Sequence, residues 1–305
     1  MVIHGGAGTI TKQSMTAEKE TQYKAKLTEA LQAGFNEIKN GKTSVEAVTS
    51  AIMILEDSPL FNAGKGAVFT NEGTNEMDAS IMYGKDKSAG AVAGVKTIKN
   101  PITAAVAVMQ KSPHVMLSGT GAEKFAAEQK LDIVHPDYFK TYDRWKALQK
   151  AIQNEKVEKD FSFNAENIDE KFGTVGAVAI DQNGNIAAGT STGGMTNKKY
   201  GRIGDSPIIG AGTYANSQVG ISATGWGEYF IRSTAARTVA AKMEYQNKDI
   251  KTASQETIDE IENMGGDGGL IALDKDGNIS MPFNTAGMYR GVVTEKGEIE
   301  IYIYK

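Results

Sequence analysis

A threonine placed directly after a glycine, at the start of a buried strand, can become a nucleophile if the chain cuts itself between the two. In this sequence the pair is Gly173 and Thr174, followed by the largely apolar run 175–181. Cleavage would give Thr174 a hydroxyl nucleophile and a free α-amino group, which titrates at about 8 and can act as the local base. Gly173 favours this chemistry, because glycine adopts strained backbone conformations with little steric cost. Taken alone, the stretch is more typical of an ordinary loop-to-strand junction.

The sequence after Thr174 predicts a hairpin that would bring a second hydroxyl beside it. Residues 175–181 and 186–190 read as two strands, and an Asn-Gly pair lies in the turn between them. An antiparallel partner returns its far end to the start of the first strand. Thr192 is therefore predicted to be a hydrogen-bonding neighbour of Thr174, although threonine is also common at strand ends for purely structural reasons.

Two further polar clusters lie on glycine-containing loops. Arg202 and Asp205 could grip the carboxylate and the ammonium group of a free amino acid, or they could form a structural salt bridge. Residues 223–228 precede a predicted helix, and the hydroxyl of Thr224 together with backbone N–H groups could bind an oxyanion. A helix cap followed by a glycine turn explains this second cluster equally well.

The hydrophobic pattern predicts hairpins and helices in separate parts of the chain, which is typical of the α+β class. Helices are predicted at 15–40, from 44 onward, and at 101–110, 121–129, 137–153, 228–245 and 252–264. Strands are predicted from residue 2 into a glycine turn, at 77–83 and 89–97, and in hairpins at 175–190, 269–281 and 292–304. This set favours helices covering both faces of two stacked, mainly antiparallel sheets. Residues 154–173 are predicted to be a flexible linker, because 154–172 are polar and lack apolar periodicity.

The composition excludes several classes of function. The 305 residues carry a formal net charge of −4, which offers no general attraction to nucleic acid or to an anionic membrane. The absence of cysteine removes disulfides and thiolate nucleophiles, and none of the three histidines lies in a zinc or nucleophile-elbow motif. No apolar run is long enough to span a bilayer. No signal peptide is visible, so we expect a cytoplasmic protein, or a periplasmic one if a segment upstream of Met1 has been removed.

Six short motifs, in order along the whole chain, resemble the plant-type L-asparaginases, also called isoaspartyl aminopeptidases. These enzymes belong to the N-terminal nucleophile (Ntn) hydrolases. The motifs are His-Gly-Gly-Ala-Gly at 4–8, Leu-Phe-Asn-Ala-Gly-x-Gly at 60–66, Gly-Thr-Val-Gly-Ala-Val-Ala at 173–179, Thr-Ser-Thr-Gly-Gly at 190–194, Gly-Arg-x-Gly-Asp-Ser-Pro at 201–207 and Ala-Thr-Gly-x-Gly-Glu at 223–228.

The resemblance implies a single domain, 1–305, folded as a four-layer αββα sandwich. It also implies a precursor that cleaves itself into an α subunit, 1–173, and a β subunit, 174–305. Two such pairs are expected to form an (αβ)₂ dimer that acts on a small molecule, with no nucleic-acid or membrane partner.

The resemblance assigns roles to residues along the whole chain. These are the nucleophile Thr174 with its supporting Thr192, the oxyanion-hole pair Thr224 and Gly225, the substrate clamp Arg202 and Asp205, Asn62 beside the nucleophile, and the glycine switch Gly5 and Gly6, which is linked to self-cleavage between Gly173 and Thr174. The implied reaction is attack on the side-chain amide of asparagine, or on the β-linked peptide bond of an isoaspartyl dipeptide. A β-aspartyl ester of Thr174 would then be hydrolysed to aspartate.

The resemblance implies one ion and no cofactor for the chemistry. The loop 55–65 is similar to a sodium-binding loop in which main-chain carbonyl groups hold the ion, a ligand type that suits a hard cation. The carbonyl groups expected to bind sodium belong to Leu55, Glu56, Ser58, Phe61, Ala63 and Lys65.

Three alternative functions fit some of the same residues. A glycosylasparaginase of the same fold would carry His-Asp-Thr at the cleavage point, where this chain has Phe172-Gly173-Thr174. A threonine protease of the same superfamily suits Arg202 and Asp205 less well, because this pair fits a small zwitterion. A catalytically silent binding protein that keeps the fold is disfavoured by the intact set of polar residues.

Overall fold

Two β-sheets packed face to face, with helices on both outer sides, form the molecule in the computed structural model, which describes residues 1–160 and 173–305. The helices are α1 (Ala17–Lys39), α2 (Ser44–Glu56), α3 (Pro101–Lys111), α4 (Gly119–Glu128), α5 (Tyr142–Asp160), α6 (Gly227–Arg232), α7 (Ala235–Gln246) and α8 (Ile250–Asn263). The strands are β1 (Val2–Gly8), β2 (Met77–Tyr83), β3 (Ala89–Val95), β4 (Met116–Ser118), β5 (Val175–Ile180), β6 (Ile186–Thr192), β7 (Thr213–Ala215), β8 (Val219–Gly225), β9 (Gly268–Asp274), β10 (Ile279–Ser280), β11 (Gly287–Val293) and β12 (Ile299–Tyr304). The predicted αββα architecture is confirmed.

The larger sheet has eight strands in the order β12-β11-β1-β5-β6-β2-β3-β4, and all neighbours are antiparallel except β3 and β4. The smaller sheet has the antiparallel order β10-β9-β8-β7. The predicted hairpins at 175–190 and 269–281 form as β5–β6 and β9–β10. In the larger sheet, strands from before and after Gly173 are interleaved, so that β1 lies between β11 and β5.

Alternating side chains divide the larger sheet between two hydrophobic cores. Ile3 and Ala177 face outward into a core shared with α1, α2 and α3. Their neighbours Val2 and Val178 face inward and pack with β8, β9, α7 and α8. Many of the inward residues are small, because the two sheets approach closely. A β-carbon on Gly220 of β8, for example, would lie 2.6 Å from Cγ1 of Val178.

Residues 5 and 6 do not form the predicted glycine turn. Strand β1 continues to Gly8, with a bulge between His4 and Gly6. The bulge moves β1 away from β5. The pairing of β1 with β5 ends at His4, opposite Gly176, while the pairing of β1 with β11 continues to Gly8.

The prediction of one continuous helix at 228–245 is also wrong. The segment is divided into α6 and α7 at Thr234, which has a left-handed backbone (φ 44°). The N–H groups of Ala236 and Arg237 donate to carbonyl groups of residues 211 and 210, so the first turn of α7 is fixed to the loop before β7. The two helices therefore start and stop for tertiary reasons that periodicity does not contain.

The linker prediction needs correction at its start. Helix α5 continues through 154–160, where a linker was expected, and Glu155 accepts a hydrogen bond from Asn197 Nδ2 at 3.0 Å. The rest of the predicted linker, 161–172, lies outside the described residues. Across 1–160 and 173–305, the chain contains no helix that combines the length and the apolar character needed to cross a membrane.

Candidate active site

Thr174 lies immediately before β5 and is almost fully buried. Its Oγ1 atom is 2.9 Å from Oγ1 of Thr192, the last residue of β6. The antiparallel pairing of Val175 with Ser191 brings these two positions together, so the predicted neighbour contact is present. Thr192 Oγ1 also accepts a hydrogen bond from the N–H group of Gly194 at 3.0 Å, which fixes the orientation of its hydroxyl group.

Asn62 connects the peptide before Thr174 to the turn after β6. Its N–H group donates to the carbonyl oxygen of Gly173 at 2.9 Å, and its own carbonyl accepts from Gly193 at 3.0 Å. The side-chain amide donates to the Gly194 carbonyl at 2.7 Å and accepts from the N–H group of Val68 at 2.9 Å. Every polar group of Asn62 is therefore used, and one of them polarises the Gly173 carbonyl.

The bulge in β1 places Gly6 against Gly173, while Gly5 lies against the ring of Phe61, the residue before Asn62. A β-carbon on Gly5 would lie 2.4 Å from the ring of Phe61. Gly6 has φ +110° and is in backbone contact with Gly173. A larger residue at position 6 would displace Gly173, and one at position 5 would displace Phe61, so Gly6 keeps the backbone before Thr174 closely packed.

Thr224 and Gly225 end β8, at the level of Thr174 across the two sheets. Gly220 faces Val178 and Ser222 faces Gly176, so the same alternation carries Thr224 to the start of β5. Thr224 is fully buried, and its Oγ1 has no hydrogen-bond partner among the described residues.

Gly225 has φ +154°, and a β-carbon there would lie 2.5 Å from the carbonyl oxygen of Asp267. No other residue type fits this position without displacing the backbone of residues 267 and 268. The end of β8 is therefore fixed closely against β9.

Arg202 and Asp205 lie on the loop between β6 and β7 and converge on one glycine. A β-carbon on Gly227 would be 2.9 Å from Nη2 of Arg202 and 2.9 Å from Oδ1 of Asp205. Because Gly227 is two residues after Gly225, the pair lies next to the end of β8. The structure therefore brings together the two clusters that the sequence left as separate candidates.

Asp205 is buried, and its Oδ2 has no hydrogen-bond partner within the described part of the chain. Burial raises the pKa of Asp205 to about 7, although the nearby Arg202 favours the ionised form. A buried carboxylate oxygen without a partner is costly, and it suits a site where a bound cation supplies the missing contact.

Glu228 is a member of the site that the sequence interpretation missed. Its two carboxylate oxygens accept from Nε and Nη2 of Arg202, at 2.9 and 2.7 Å. This bidentate pair fixes the plane of the guanidinium group. Glu228 ends the sixth motif quoted above, but nothing in the sequence places it opposite Arg202.

The predicted sodium loop folds back on itself beside Asn62. The N–H groups of Ser58 and Gly66 donate to the carbonyls of Leu55 and Ala63. β-Carbons on Gly64 and Gly66 would lie 2.4 Å from the Glu56 carbonyl oxygen and 2.0 Å from that of Phe61. Among the described residues, no group of three or more histidine and acidic side chains is placed to hold a metal ion.

A cavity of about 580 Å³ has Gly173 in its wall. Gly5, Gly173, Asp267 and Tyr289 are among the residues that line it. Its wall also carries Lys19, Arg144, Lys146, Lys150 and Asp143. Within the described residues, this cavity thus reaches Gly173 without reaching the hydroxyl pair of Thr174 or the carboxylate–guanidinium pair.

Comparison with known proteins identifies the family. The profile of the asparaginase family matches residues 1–303. A putative isoaspartyl peptidase/L-asparaginase of Dictyostelium discoideum is 48% identical over 96% of this chain and 92% of its own length. The isoaspartyl peptidase of Escherichia coli is 45% identical over 98% and 97%, and the plant-type L-asparaginase of Pyrococcus abyssi is 42% identical over 94% of both chains. These matches extend over nearly the whole chain and include the hydroxyl pair at Thr174 and the carboxylate–guanidinium pair beside the end of β8. They show that this chain belongs to the asparaginase family.

Proposed function

We propose that this protein is a self-cleaving amidohydrolase that hydrolyses L-asparagine to L-aspartate and ammonia and cleaves β-aspartyl dipeptides. One observation carries the proposal. Two buried oxygens without partners, Asp205 Oδ2 and Thr224 Oγ1, lie at the end of β8 that the sheet register brings to Thr174. One can bind an ammonium group and the other can donate to an oxyanion.

Self-cleavage begins with attack of Thr174 Oγ1 on the carbonyl carbon of Gly173. The C–O bond forms and the C–N bond breaks, and the hydroxyl proton moves to the departing amine. The backbone N–H of Asn62 polarises the carbonyl, and the neighbouring Thr192 hydroxyl orients the attacking oxygen. Water then hydrolyses the ester, which leaves a carboxylate on Gly173 and restores the hydroxyl. The products are fragments 1–173 and 174–305.

Turnover uses the amine that cleavage releases. The amine accepts the Thr174 hydroxyl proton while Oγ1 attacks the side-chain carbonyl of the substrate. Thr224 and Gly225 stabilise the oxyanion, and ammonia or an amino acid leaves with the transferred proton. Water then hydrolyses the β-aspartyl ester, which releases aspartate.

The substrate is fixed by its α-amino and α-carboxylate groups. Arg202 binds the carboxylate, while Glu228 keeps the guanidinium plane in place. Asp205 binds the ammonium group, which replaces the partner that its buried Oδ2 lacks. This arrangement selects a small zwitterion and leaves its side chain directed toward Thr174.

We further propose an (αβ)₂ assembly and a structural sodium ion in the loop 55–65. The carbonyl oxygens of Leu55, Glu56, Ser58, Phe61, Ala63 and Lys65 would hold the ion. The resemblance of this loop to a sodium-binding loop supports the ion, and Gly64 and Gly66 allow the main chain to fold tightly there. The ion would stabilise the loop that carries Asn62.

The test is the intact mass of the purified protein under denaturing conditions, together with its rate of hydrolysis of asparagine and of a β-aspartyl dipeptide. We expect two fragments, the second starting at Thr174, and turnover of both substrates. A single uncut chain without activity would overturn the proposal in favour of a silent binding protein. Activity confined to a glycosylated asparagine would favour the glycosylasparaginase alternative.

A further inference from the structure

His4 is fully buried between the two sheets, and its ring contacts the backbone of Thr174, the proposed nucleophile. Its Nδ1 atom is 3.0 Å from the carbonyl oxygen of Thr174, and its Nε2 atom is 2.9 Å from Oγ of Ser222. A carbonyl oxygen can only accept, so Nδ1 must carry the hydrogen. Burial lowers the pKa of His4 to about 3, so the ring is neutral and Nε2 accepts from Ser222.

The bulge in β1 explains why a side chain makes this contact. Backbone pairing between β1 and β5 ends at His4 opposite Gly176, two residues before the carbonyl of Thr174 would be paired. Beyond this point β1 turns away to place Gly6 against Gly173. The imidazole of His4 fills the position that the departing strand leaves.

A chain of buried hydroxyl groups continues from His4 to the substrate loop. Ser222 Oγ is 2.7 Å from Thr190 Oγ1, which is 2.5 Å from Thr213 Oγ1. Ser80 Oγ lies 2.8 Å from Thr213 Oγ1 and donates to the carbonyl of Ser206 at 2.6 Å. Ser206 follows Asp205 directly. Both ends of this chain, His4 Nε2 and the Ser206 carbonyl, are acceptors, so its four hydroxyl protons fill four of the five links and one neighbouring hydroxyl pair is in contact without a hydrogen bond. By hydrogen bonds and this one contact, the chain links the backbone of Thr174 to the loop of Asp205 through both sheets.

We infer that His4 is a positioning residue, whose Nδ1–H group fixes the backbone of Thr174 while its Nε2 atom joins that backbone to the Asp205 loop. The role depends on the proposed function, because it requires Thr174 to be the nucleophile and Asp205 to bind substrate. The two ring nitrogens have separate tasks. One sets the attack geometry, and the other sets the distance between nucleophile and clamp.

Two amide variants separate these tasks. The amide nitrogen of Asn reaches the position of Nδ1, and that of Gln reaches the position of Nε2, so His4→Asn keeps the Thr174 contact and His4→Gln loses it. We expect His4→Asn to retain most of kcat and to raise KM several-fold. We expect His4→Gln to lower kcat by about 100-fold, with a smaller change in KM, because misplacement by about 1 Å has costs of this size.

Ser222→Ala and His114→Gln complete the series. Ser222→Ala cuts the same link as His4→Asn, so the two should share a raised KM. Exposed His114 gives a matched control that should behave as wild type. Equal losses of kcat in the Asn and Gln variants, or losses that simply follow the unfolded fraction measured by circular dichroism, would overturn the inference.

Nitrogen-15 spectra of the imidazole groups test the geometry without any turnover. The chain has three histidines, so the His4 signals are those that disappear in His4→Asn. In uncleaved Thr174→Ala we expect a neutral ring protonated at Nδ1, and protonation at Nε2 would overturn the inference. A wild-type protein that neither cuts itself nor turns over would overturn the proposed function and the positioning role together. Normal wild-type turnover with indistinguishable His4 variants would overturn the positioning role alone.

Discussion

Gly6 and Gly173 are in direct backbone contact, and a β-carbon on Gly6 would lie only 2.4 Å from the Cα atom of Gly173. The contact joins the bulge of β1 to the residue whose carbonyl Thr174 would attack. It leaves no room for a side chain on Gly6, and Gly173 is held on its other side by the backbone of Asn62. The peptide that Thr174 would attack is therefore confined by two segments from the first half of the chain.

Replacing Gly6 with alanine should slow self-cleavage more than it destabilises the fold. The methyl group would displace Gly173, whose carbonyl carbon Thr174 would attack, and the positive φ adds about 1 kcal/mol of strain. Gly41→Ala is the matched control, because Gly41 also has a positive φ but a β-carbon there meets nothing within 4 Å. The half-time of fragment formation, followed by mass spectrometry, should increase in Gly6→Ala only. Equal half-times in both variants would contradict a role for the contact.

Removing the hydroxyl group of residue 174 should abolish both reactions. We expect Thr174→Ala to remain a single chain and to lose asparagine hydrolysis by more than about 1,000-fold, as for other nucleophile deletions. Thr174→Ser keeps the oxygen and should still cut itself. Denaturing mass spectrometry and ammonia release measure the two reactions. Normal turnover in Thr174→Ala would rule out the nucleophile assignment.

Arg202→Gln should impair substrate binding without affecting the cut. Loss of the charged contact to the substrate carboxylate should raise KM about 10- to 100-fold, since such bonds contribute about 1.5–3 kcal/mol. Glu228→Gln should raise KM less, because the guanidinium group remains but its plane is less well fixed. Steady-state kinetics and fragment masses are measured on the same preparations. An unchanged KM in Arg202→Gln would exclude the clamp role.

The raised pKa of Asp205 predicts a specific pH dependence. Only the ionised carboxylate pairs with the substrate ammonium group, and burial raises its pKa to about 7. Binding should therefore strengthen as pH rises through about 7 and weaken about tenfold per unit below it. The inhibition constant of L-aspartate measures this directly, because it does not involve attack by Thr174. In Asp205→Asn the inhibition constant of L-aspartate should be higher and independent of pH across the same range. An unchanged pH dependence in this variant would assign the titration to another group.

Removal of sodium should lower the Tm of the protein, because the proposed ion stabilises the loop 55–65. Exchange of sodium for a bulky organic cation at constant ionic strength should lower Tm and reduce activity, because the loop carries Asn62. Readdition of sodium should restore both. Gly66→Ala should mimic the depleted state, since its β-carbon would lie 2.0 Å from the Phe61 carbonyl oxygen. A Tm that ignores the ion exchange would remove sodium from the proposal.

Local sequence signals predicted those parts of the fold that local chemistry determines. The Asn-Gly turn and the alternating residues around it located β5 and β6, and hence the contact of Thr174 with Thr192. The sequence did not reveal the division between α6 and α7, because that division depends on tertiary contacts with the loop before β7. Strands β7 and β8 are short or rich in small residues, and Gly220 is explained only by Val178 on the opposite sheet.

The site shows the same division. Arg202 and Asp205 were identified by residue type and spacing. Glu228 could not be paired with Arg202, because the sequence does not show that the loop 202–205 packs against the start of α6. His4 was visible only as part of a glycine motif. Its contacts with Thr174 and Ser222 join residues that are 170 and 218 positions away in the chain.

The interleaved order of the larger sheet determines what a cut after Gly173 would do to the molecule. Strand β1 would remain hydrogen-bonded to β11 and β5, although both would then belong to a different polypeptide. Separating the fragments would break ladders on both edges of β1, so dissociation and global unfolding would be one event. The uncut chain unfolds as a unimolecular system, whereas the cut form unfolds into two molecules that must find each other again. Its melting temperature would rise with protein concentration, and dilution after heating would make the loss of structure irreversible in practice.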